Sequence, residues 1–221
     1  MHAAALSPWT WITLRVLISL AAIMAASSVT FWVLVRRSTA HRQWVALAEW
    51  ARDAGFHFRD IRHLPPPLDA VGAHAPAARI CVGNESVLLM QIETTAPTRA
   101  DVTPGPETAT WNLLIRRLPT AWRPTGMRPS SASRSLLDLF SLSSFPLLGS
   151  TERFVVYGTD SAAARELSQS MARSLLPPDI GLLLYGSELV LDFSGRPFDP
   201  IEFNRMLALA DQLAQKLPPP S

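Results

Sequence analysis

The side chains that could bind a metal ion are concentrated between residues 57 and 81. They are His57, Asp60, His63, Asp69, His74 and Cys81. Imidazole and thiolate groups are ligands that suit Zn²⁺. The spacing of these residues matches no common zinc template, however, and the neighbouring Arg59 and Arg62 would repel a cation. We therefore predict solvated loop histidines, with no metal site and no cofactor.

Cys81 is the single cysteine of the chain, so no internal disulfide can form, which suits a reducing compartment. It lies in an apolar run, where the sequence shows no environment that would make the thiol reactive. We predict a buried, structural thiol.

The common catalytic and phosphate-binding patterns are missing from the sequence. No G-x-S-x-G, G-x-G-x-x-G, G-x-x-x-x-G-K or H-E-x-x-H pattern occurs. Four acidic residues lie close together in sequence: Glu188, Asp192, Asp199 and Glu202. An outward-facing strand and a helix cap explain their positions better than paired catalytic carboxylates do. We assign no catalytic residue.

The longest apolar run of the sequence predicts a membrane anchor, which would hold any functional site close to a bilayer. Val16–Val35 contains 20 residues without a charged side chain and is followed by Arg36 and Arg37. At ~1.5 Å rise per residue this segment spans ~30 Å as a helix, the thickness of the hydrocarbon core of a bilayer. We predict one membrane-spanning helix, about residues 9–35, within an anchor that comprises residues 1–37.

Residues at the two ends of the run support this assignment. Ser7 and Pro8 are typical of a helix start. Trp9 and Trp32 lie roughly 34 Å apart along a helix, as two interfacial aromatic belts require. A cleaved signal peptide is the alternative, because Ala25-Ala26-Ser27 resembles a cleavage zone, although the apolar run is longer than such a peptide needs.

Basic residues predict the orientation of the anchor. Only Arg15 and the amino terminus lie on its N-terminal side. The other side carries Arg36, Arg37, Arg42 and Arg52. The positive-inside rule then places the N-terminus outside and the following domain in the cytoplasm. Ala21 and Ala25 would permit a helix dimer, but in an Ala-rich chain such spacing also arises by chance, and the oligomeric state stays open.

The formal net charge of +2 is explained by the anchor. Residues 1–37 contain three arginines and no acidic residue, and the remaining 17 basic and 18 acidic residues give a net charge of −1. Nucleic-acid binding needs a clustered basic surface. We therefore predict no nucleic-acid partner.

Residues 38–221 are long enough for one compact soluble domain. Ser38 and Thr39 are predicted to cap a helix that ends at Gly55. The final helix is predicted to begin at Asp199, which opens a set of start signals. These are Pro200 at the first helical position, Glu202 in a capping box, and a Phe198–Phe203 hydrophobic staple.

Strand patterns occupy the middle of this domain. Arg79–Val82 and Ser86–Glu93 are predicted to form a hairpin, and Thr110–Leu118 a third strand. Thr94–Thr108 is predicted to be a loop, and residues 119–150, rich in Pro and Ser, an irregular region.

The last third contains the clearest strand and helix signals. Glu152–Tyr157 is predicted to be a strand, and Asp160 to cap a helix. One face of that helix comprises Ala164, Leu167, Met171 and Leu175. Leu182–Tyr185 and Glu188–Phe193 are predicted to form a hairpin around a Gly186-Ser187 turn. Because such turns require antiparallel strands, we predict an α+β fold, with helices packed on a mostly antiparallel sheet.

Three segments resemble a loose group of uncharacterised bacterial single-pass membrane proteins. They are WVALAEWARDAGFHF (44–58), ERFVVYGTDSAAARELSQSMARSLLPPD (152–179) and LLLYGSELVLDF (182–193). All three are packing and turn patterns, with no catalytic motif. The resemblance implies a membrane-tethered α+β domain of unknown function, and it identifies no site residue.

Two functions remain open at this point. The favoured one is a non-catalytic interaction or scaffolding domain on the bilayer, with a membrane protein as candidate partner. The alternative is a ligand-binding module or enzyme whose site assembles only in the fold. The apolar segment Ser135–Leu142 is interpreted either as part of the core or as a membrane or partner contact.

Overall fold

A computed structural model describes residues 8–59, 78–96, 107–132, 146–169 and 172–217. The chain divides into two compact units, residues 1–48 and residues 49–221. The Ser135–Leu142 segment lies outside the described residues, so both of its interpretations stay predictions.

Helix α1, Pro8–Asp53, is 46 residues long and uninterrupted. Pro8 is also the first residue that the structure describes, so the predicted helix start stays a prediction. The predicted start of a second helix at Ser38 and Thr39 is wrong. Residues 9–54 contain neither glycine nor proline, so nothing in this stretch ends the helix at those positions.

The N-terminal part of α1 is apolar and open to its surroundings. Among the described residues, Arg15–Trp32 is the helical window long and apolar enough to cross a membrane, and none of it is buried within the protein. The hydroxyls of Ser28 and Thr30 donate to the carbonyl oxygens of Met24 and Ala26, each at 2.8 Å. Both polar groups are therefore satisfied inside the helix, as an apolar environment requires.

Gly55 ends α1, as predicted. Its φ of +70° lies in the left-handed region that glycine adopts without strain. The N–H of Gly55 donates to the carbonyl oxygen of Arg52, and the N–H of Phe56 donates to that of Ala51, a Schellman motif. The Phe56 ring then packs on Trp50, with ring centroids 5.4 Å apart.

Seven strands form one sheet in the described part of the chain. They are β1 (His57–Phe58), β2 (Ala78–Gly83), β3 (Val87–Ala96), β4 (Glu107–Pro129), β5 (Leu147–Ser150), β6 (Phe154–Gly158) and β7 (Gly181–Asp192). The order is β1-β2-β3-β4-β6-β5, and β7 pairs with β4. Every pair is antiparallel, which confirms the predicted fold class and the β2–β3 hairpin.

The central strand, β4, is 23 residues long. It includes the predicted strand Thr110–Leu118. The expectation that the chain becomes irregular from Pro119 is wrong as far as Pro129, and β5 was not predicted. The predicted loop Thr94–Thr108 is likewise shorter, because β3 and β4 extend into both of its ends.

Bulges allow prolines within β4. Its register with β7 shifts between Arg117 and Trp122, and again between Trp122 and Thr125. Pro119 lies within the first shift and Pro124 within the second. Their missing N–H groups are tolerated there because the ladder hydrogen bonds are already interrupted.

The predicted hairpin around Gly186-Ser187 is wrong, because β7 continues through both residues. Its two halves pair with β4 in the same direction, from Met127 opposite Leu182 to Leu113 opposite Asp192. Gly186 has a φ of +57°. It lies at an irregularity within one strand, and the chain does not reverse its direction there. A local glycine signal cannot distinguish these two uses of positive φ.

Three further helices complete the described fold. They are α2 (Ser161–Gln169), α3 (Ala172–Leu175) and α4 (Pro200–Lys216). The predicted cap of α2 is confirmed, since the Asp160 carboxylate accepts from the N–H of Ala162 at 2.8 Å. Ala164 and Leu167 of its predicted inner face are buried, and Met171 lies outside the described residues.

Helix α4 begins as the sequence predicts. The Asp199 carboxylate accepts from the N–H of Glu202 at 2.9 Å, and the rings of Phe198 and Phe203 lie 4.6 Å apart. The Glu202 carboxylate does not complete the expected capping box. It instead accepts from Arg196 at 2.6 Å, because that guanidinium offers a charged partner to an acid that is only 3% exposed.

Both faces of the sheet are buried. Phe193 on one face meets Phe203 of α4, with ring centroids 6.4 Å apart. The opposite face, here called the second face, carries another buried cluster: Cys81, Met90, Ile92, Trp111, Leu113, Ile115, Tyr157, Leu183 and Val190. Val190 is fully buried on this second face, so the strand face that was predicted to be outward at Glu188 and Asp192 is covered at this position.

We expect Gly126→Ala to destabilise this sheet. A Cβ at Gly126 would lie 2.7 Å from both the carbonyl oxygen of Leu182 and the ring of Tyr157. The backbone atom cannot move aside, so we expect a loss of ~1–3 kcal/mol in unfolding free energy. Thermal unfolding of the full chain in detergent measures the effect. Gly149→Ala is the control, since its Cβ would meet no atom within 4 Å. Equal melting temperatures for the two variants would contradict the packing described.

Candidate functional site

A cleft of about 450 Å³ opens where the β2–β3 turn approaches the irregularity in β7. Its floor includes Leu88 and Ile115, which are cross-strand partners on the second face. Arg117 and Glu188, also register partners, continue the same face toward the opening. The N–H of Arg117 donates to the carbonyl oxygen of Ser86 at 2.8 Å, which holds the turn against β4.

Gly186 of β7 lines this cleft. An added Cβ at Gly186 would meet nothing within 4 Å. On β7, Glu188 pairs with Arg117 and Gly186 pairs with Trp122. The register of β7 with β4 shifts between these two pairs. The intervening residue, Ser187, also lines the cleft. An uninterrupted ladder would instead bring the two strands into regular pairing here.

Polar side chains with unused hydrogen-bonding capacity converge on the rim. They are Arg59, Glu85, Arg117, Tyr185, Ser187 and Glu188. Within the described parts of the chain, none of these side chains forms a hydrogen bond or a direct ion pair. Most surface polar groups are satisfied by water, but here they surround an apolar floor. The arrangement therefore offers donors and acceptors beside an apolar surface.

Burial affects the titration of one rim acid. It raises the pKa of the Glu188 carboxyl above its usual value, and the nearby positive charge of Arg117 opposes that rise. Burial also raises the pKa of Asp192, four residues further along β7, against hydrogen bonds from Ser194. The two carboxyl groups thus lie in a less polar environment than the predicted outward-facing strand would give them.

The charged cluster around Arg196 has a structural role. Arg196 donates two hydrogen bonds to Asp179, at 2.7 and 2.8 Å, and a third to Glu202. The pKa of Asp179 is lowered, chiefly by the hydrogen bonds from Arg196. Asn112 donates to the carbonyl oxygen of Arg196 at 2.9 Å. These bonds fasten the β7–α4 connection to the sheet.

The structure describes two of the residues first considered for metal binding. His57 is exposed on β1, and Cys81 is buried in the second-face cluster. Asp60, His63, Asp69 and His74 lie outside the described residues. Among the residues that are described, no three His, Cys, Asp or Glu side chains could hold one metal ion.

The prediction for Cys81 is confirmed. Its side chain is 3% exposed. Burial raises the pKa of the thiol to about 12, and the charge of Arg59 offsets only part of that rise. A thiol that stays protonated is a poor nucleophile and a poor metal ligand.

Sequence reasoning missed most of the cleft. Glu188 was noticed only as an outward-facing acid, and Arg59, Arg117 and Tyr185 were not considered together. Their separation along the chain hides their proximity, and only the register of β4 with β3 and β7 reveals it.

The fold and the cleft define a class of protein: an α+β domain preceded by an apolar N-terminal helix that could span a membrane. No family model and no curated protein matches the chain. The resemblance to a bacterial membrane-protein group therefore stays a prediction.

Among solved structures, the chain is similar to the crystal structure of the mycobacterial trehalose monomycolate transport factor A, TtfA. The TM-score is 0.51, with 13% sequence identity over 78% of this chain and 94% of that chain. At this identity the similarity shows a shared fold.

We expect Glu188→Gln to change how stability depends on pH. The folded state holds the Glu188 proton more tightly than the unfolded state, so this group's contribution is full at low pH. It is lost as pH rises from the usual carboxyl range through the raised pKa. The variant should therefore match the wild type at low pH and exceed it near neutrality, by less than about 1 kcal/mol for this partly exposed side chain.

Thermal unfolding of both proteins between pH 4 and 8 measures this difference, since the contribution of Asp192 is common to both. Glu85→Gln, on the same rim, is the control for the loss of one negative charge. A variant less stable than the wild type near neutrality would show that ionised Glu188 stabilises the fold.

Proposed function

We propose that this protein is a membrane-tethered, non-catalytic interaction or scaffolding domain that serves a transport assembly in the membrane. The observation that carries the proposal is the window Arg15–Trp32, which is apolar, long enough to span a bilayer and unburied within the protein. Water-soluble proteins rarely expose so large a continuous apolar surface. A bilayer would cover it along its whole length.

The role in transport draws on the shared fold. The solved neighbour is described as a transport factor, and the similarity covers most of both chains. In our proposal, the present chain has a supporting role beside a membrane protein. Residues 49–221 form a separate compact unit that could present a surface to such a partner.

We further propose that this unit faces the cytoplasm. The arginines that follow the apolar window, Arg36, Arg37 and Arg42, outnumber the basic residues before it. Basic residues near a span are retained on the cytoplasmic side.

Extraction and reporter fusions test the anchor and its orientation. We expect the full-length chain to remain in the membrane pellet after alkaline carbonate treatment, because ~20 apolar residues insert stably. A C-terminal green fluorescent protein should fluoresce, whereas a C-terminal alkaline phosphatase should be inactive. A shortened, soluble chain would support the signal-peptide alternative, and an active phosphatase would reverse the orientation.

Cross-linking in intact cells, followed by purification in detergent, tests the interaction role. We expect a reproducible integral membrane protein in near-stoichiometric amount. The control is a chain whose residues 9–35 are replaced by an unrelated single membrane span, which keeps the tether and the soluble unit. Loss of the partner in this control would place the contact in the apolar helix. A co-purifying small molecule with no reproducible protein would overturn the proposal in favour of a ligand-binding module.

A further inference from the structure

The rim of the cleft combines opposite charges in equal number. Arg59 and Arg117 contribute two positive charges, and Glu85 and Glu188 contribute two negative charges. The rim therefore has no net charge that would select an anion or a cation. It nevertheless presents guanidinium donors and carboxylate acceptors.

These charges are not used in pairing with one another. Arg117 and Glu188 are register partners on adjacent strands, yet they form no direct ion pair, and only a longer-range attraction acts between them. In contrast, Arg196 donates to Asp179 and Glu202 at 2.6–2.8 Å. The cleft thus retains polar capacity that a bound ligand could satisfy.

The floor of the cleft is apolar. Leu88, Ile115 and the ring of Tyr185 belong to, or pack against, the buried cluster of the second face. The volume of about 450 Å³ falls in the range of small-molecule sites. A ligand that fits is therefore small, offers both donors and acceptors, and is apolar on one side.

We propose that this cleft binds a neutral, polyhydroxylated ligand, such as a disaccharide. A hydroxyl group both donates and accepts, so neighbouring hydroxyls can bond to Arg117 and Glu188 together. The C–H face of a sugar ring can lie on Tyr185 and Leu88. This function does not require the partner role proposed above, and the two can fail separately.

The test uses the full chain extracted into nanodiscs with styrene–maleic acid copolymer, which avoids sugar-containing detergents. Saturation-transfer NMR is recorded with three probes: neutral disaccharides (maltose, sucrose and cellobiose), zwitterionic phosphocholine, and inorganic phosphate. We expect transfer to at least one disaccharide and none to the two charged probes. Transfer to phosphocholine or phosphate alone, or to no probe, would overturn the proposal.

Two variants locate the binding site. Ser187→Trp should fill the cleft and abolish transfer, whereas Ser131→Trp, at an exposed turn residue outside the cleft, should leave it unchanged. If Ser187→Trp does not fold, as judged by its melting transition, Glu188→Gln replaces it. That variant should weaken disaccharide binding about tenfold, since a charged acceptor is lost. Unchanged binding in the folded cleft variant would refute this location.

Discussion

Backbone pairing along both edges of β4 is the constraint on which the rest of the second unit depends. One edge pairs with β3 and then β6, and β7 pairs along the other. Every buried N–H and C=O of the long strand needs a partner, so β7 must be long as well. A hairpin at Gly186 would have left half of this edge unpaired. The same demand confines Pro119 and Pro124 to the irregular stretches of the ladder, where a missing donor is tolerated.

Burial of both sheet faces follows from this arrangement. Helix α4 covers one face, anchored at its start by Asp199 and by the pair Phe198–Phe203. The second face supplies the floor of the cleft, so the candidate site is an extension of the core and not a loop feature. This explains why Glu188 experiences a less polar environment than an outward strand position would provide.

The elements that the sequence predicted correctly are those with local causes. Gly55 ends one helix and Asp199 caps another, because each signal acts within one turn. Gly186 and the β4 prolines were misinterpreted because their roles depend on strands distant in sequence. The cleft was missed for the same reason: Arg59, Arg117 and Glu188 become neighbours only through register, which a single sequence does not encode locally.

The burial of Cys81 gives the molecule a built-in reporter. It is the chain's single cysteine, it is enclosed on the second face, and its thiol stays protonated at neutral pH. Any reagent that modifies it must wait for the sheet to open, so the labelling rate reports the opening equilibrium. Calorimetry is difficult in a lipid bilayer, whereas a thiol count is not. The conformational stability of the second unit is therefore measurable in native membranes without introducing a foreign probe.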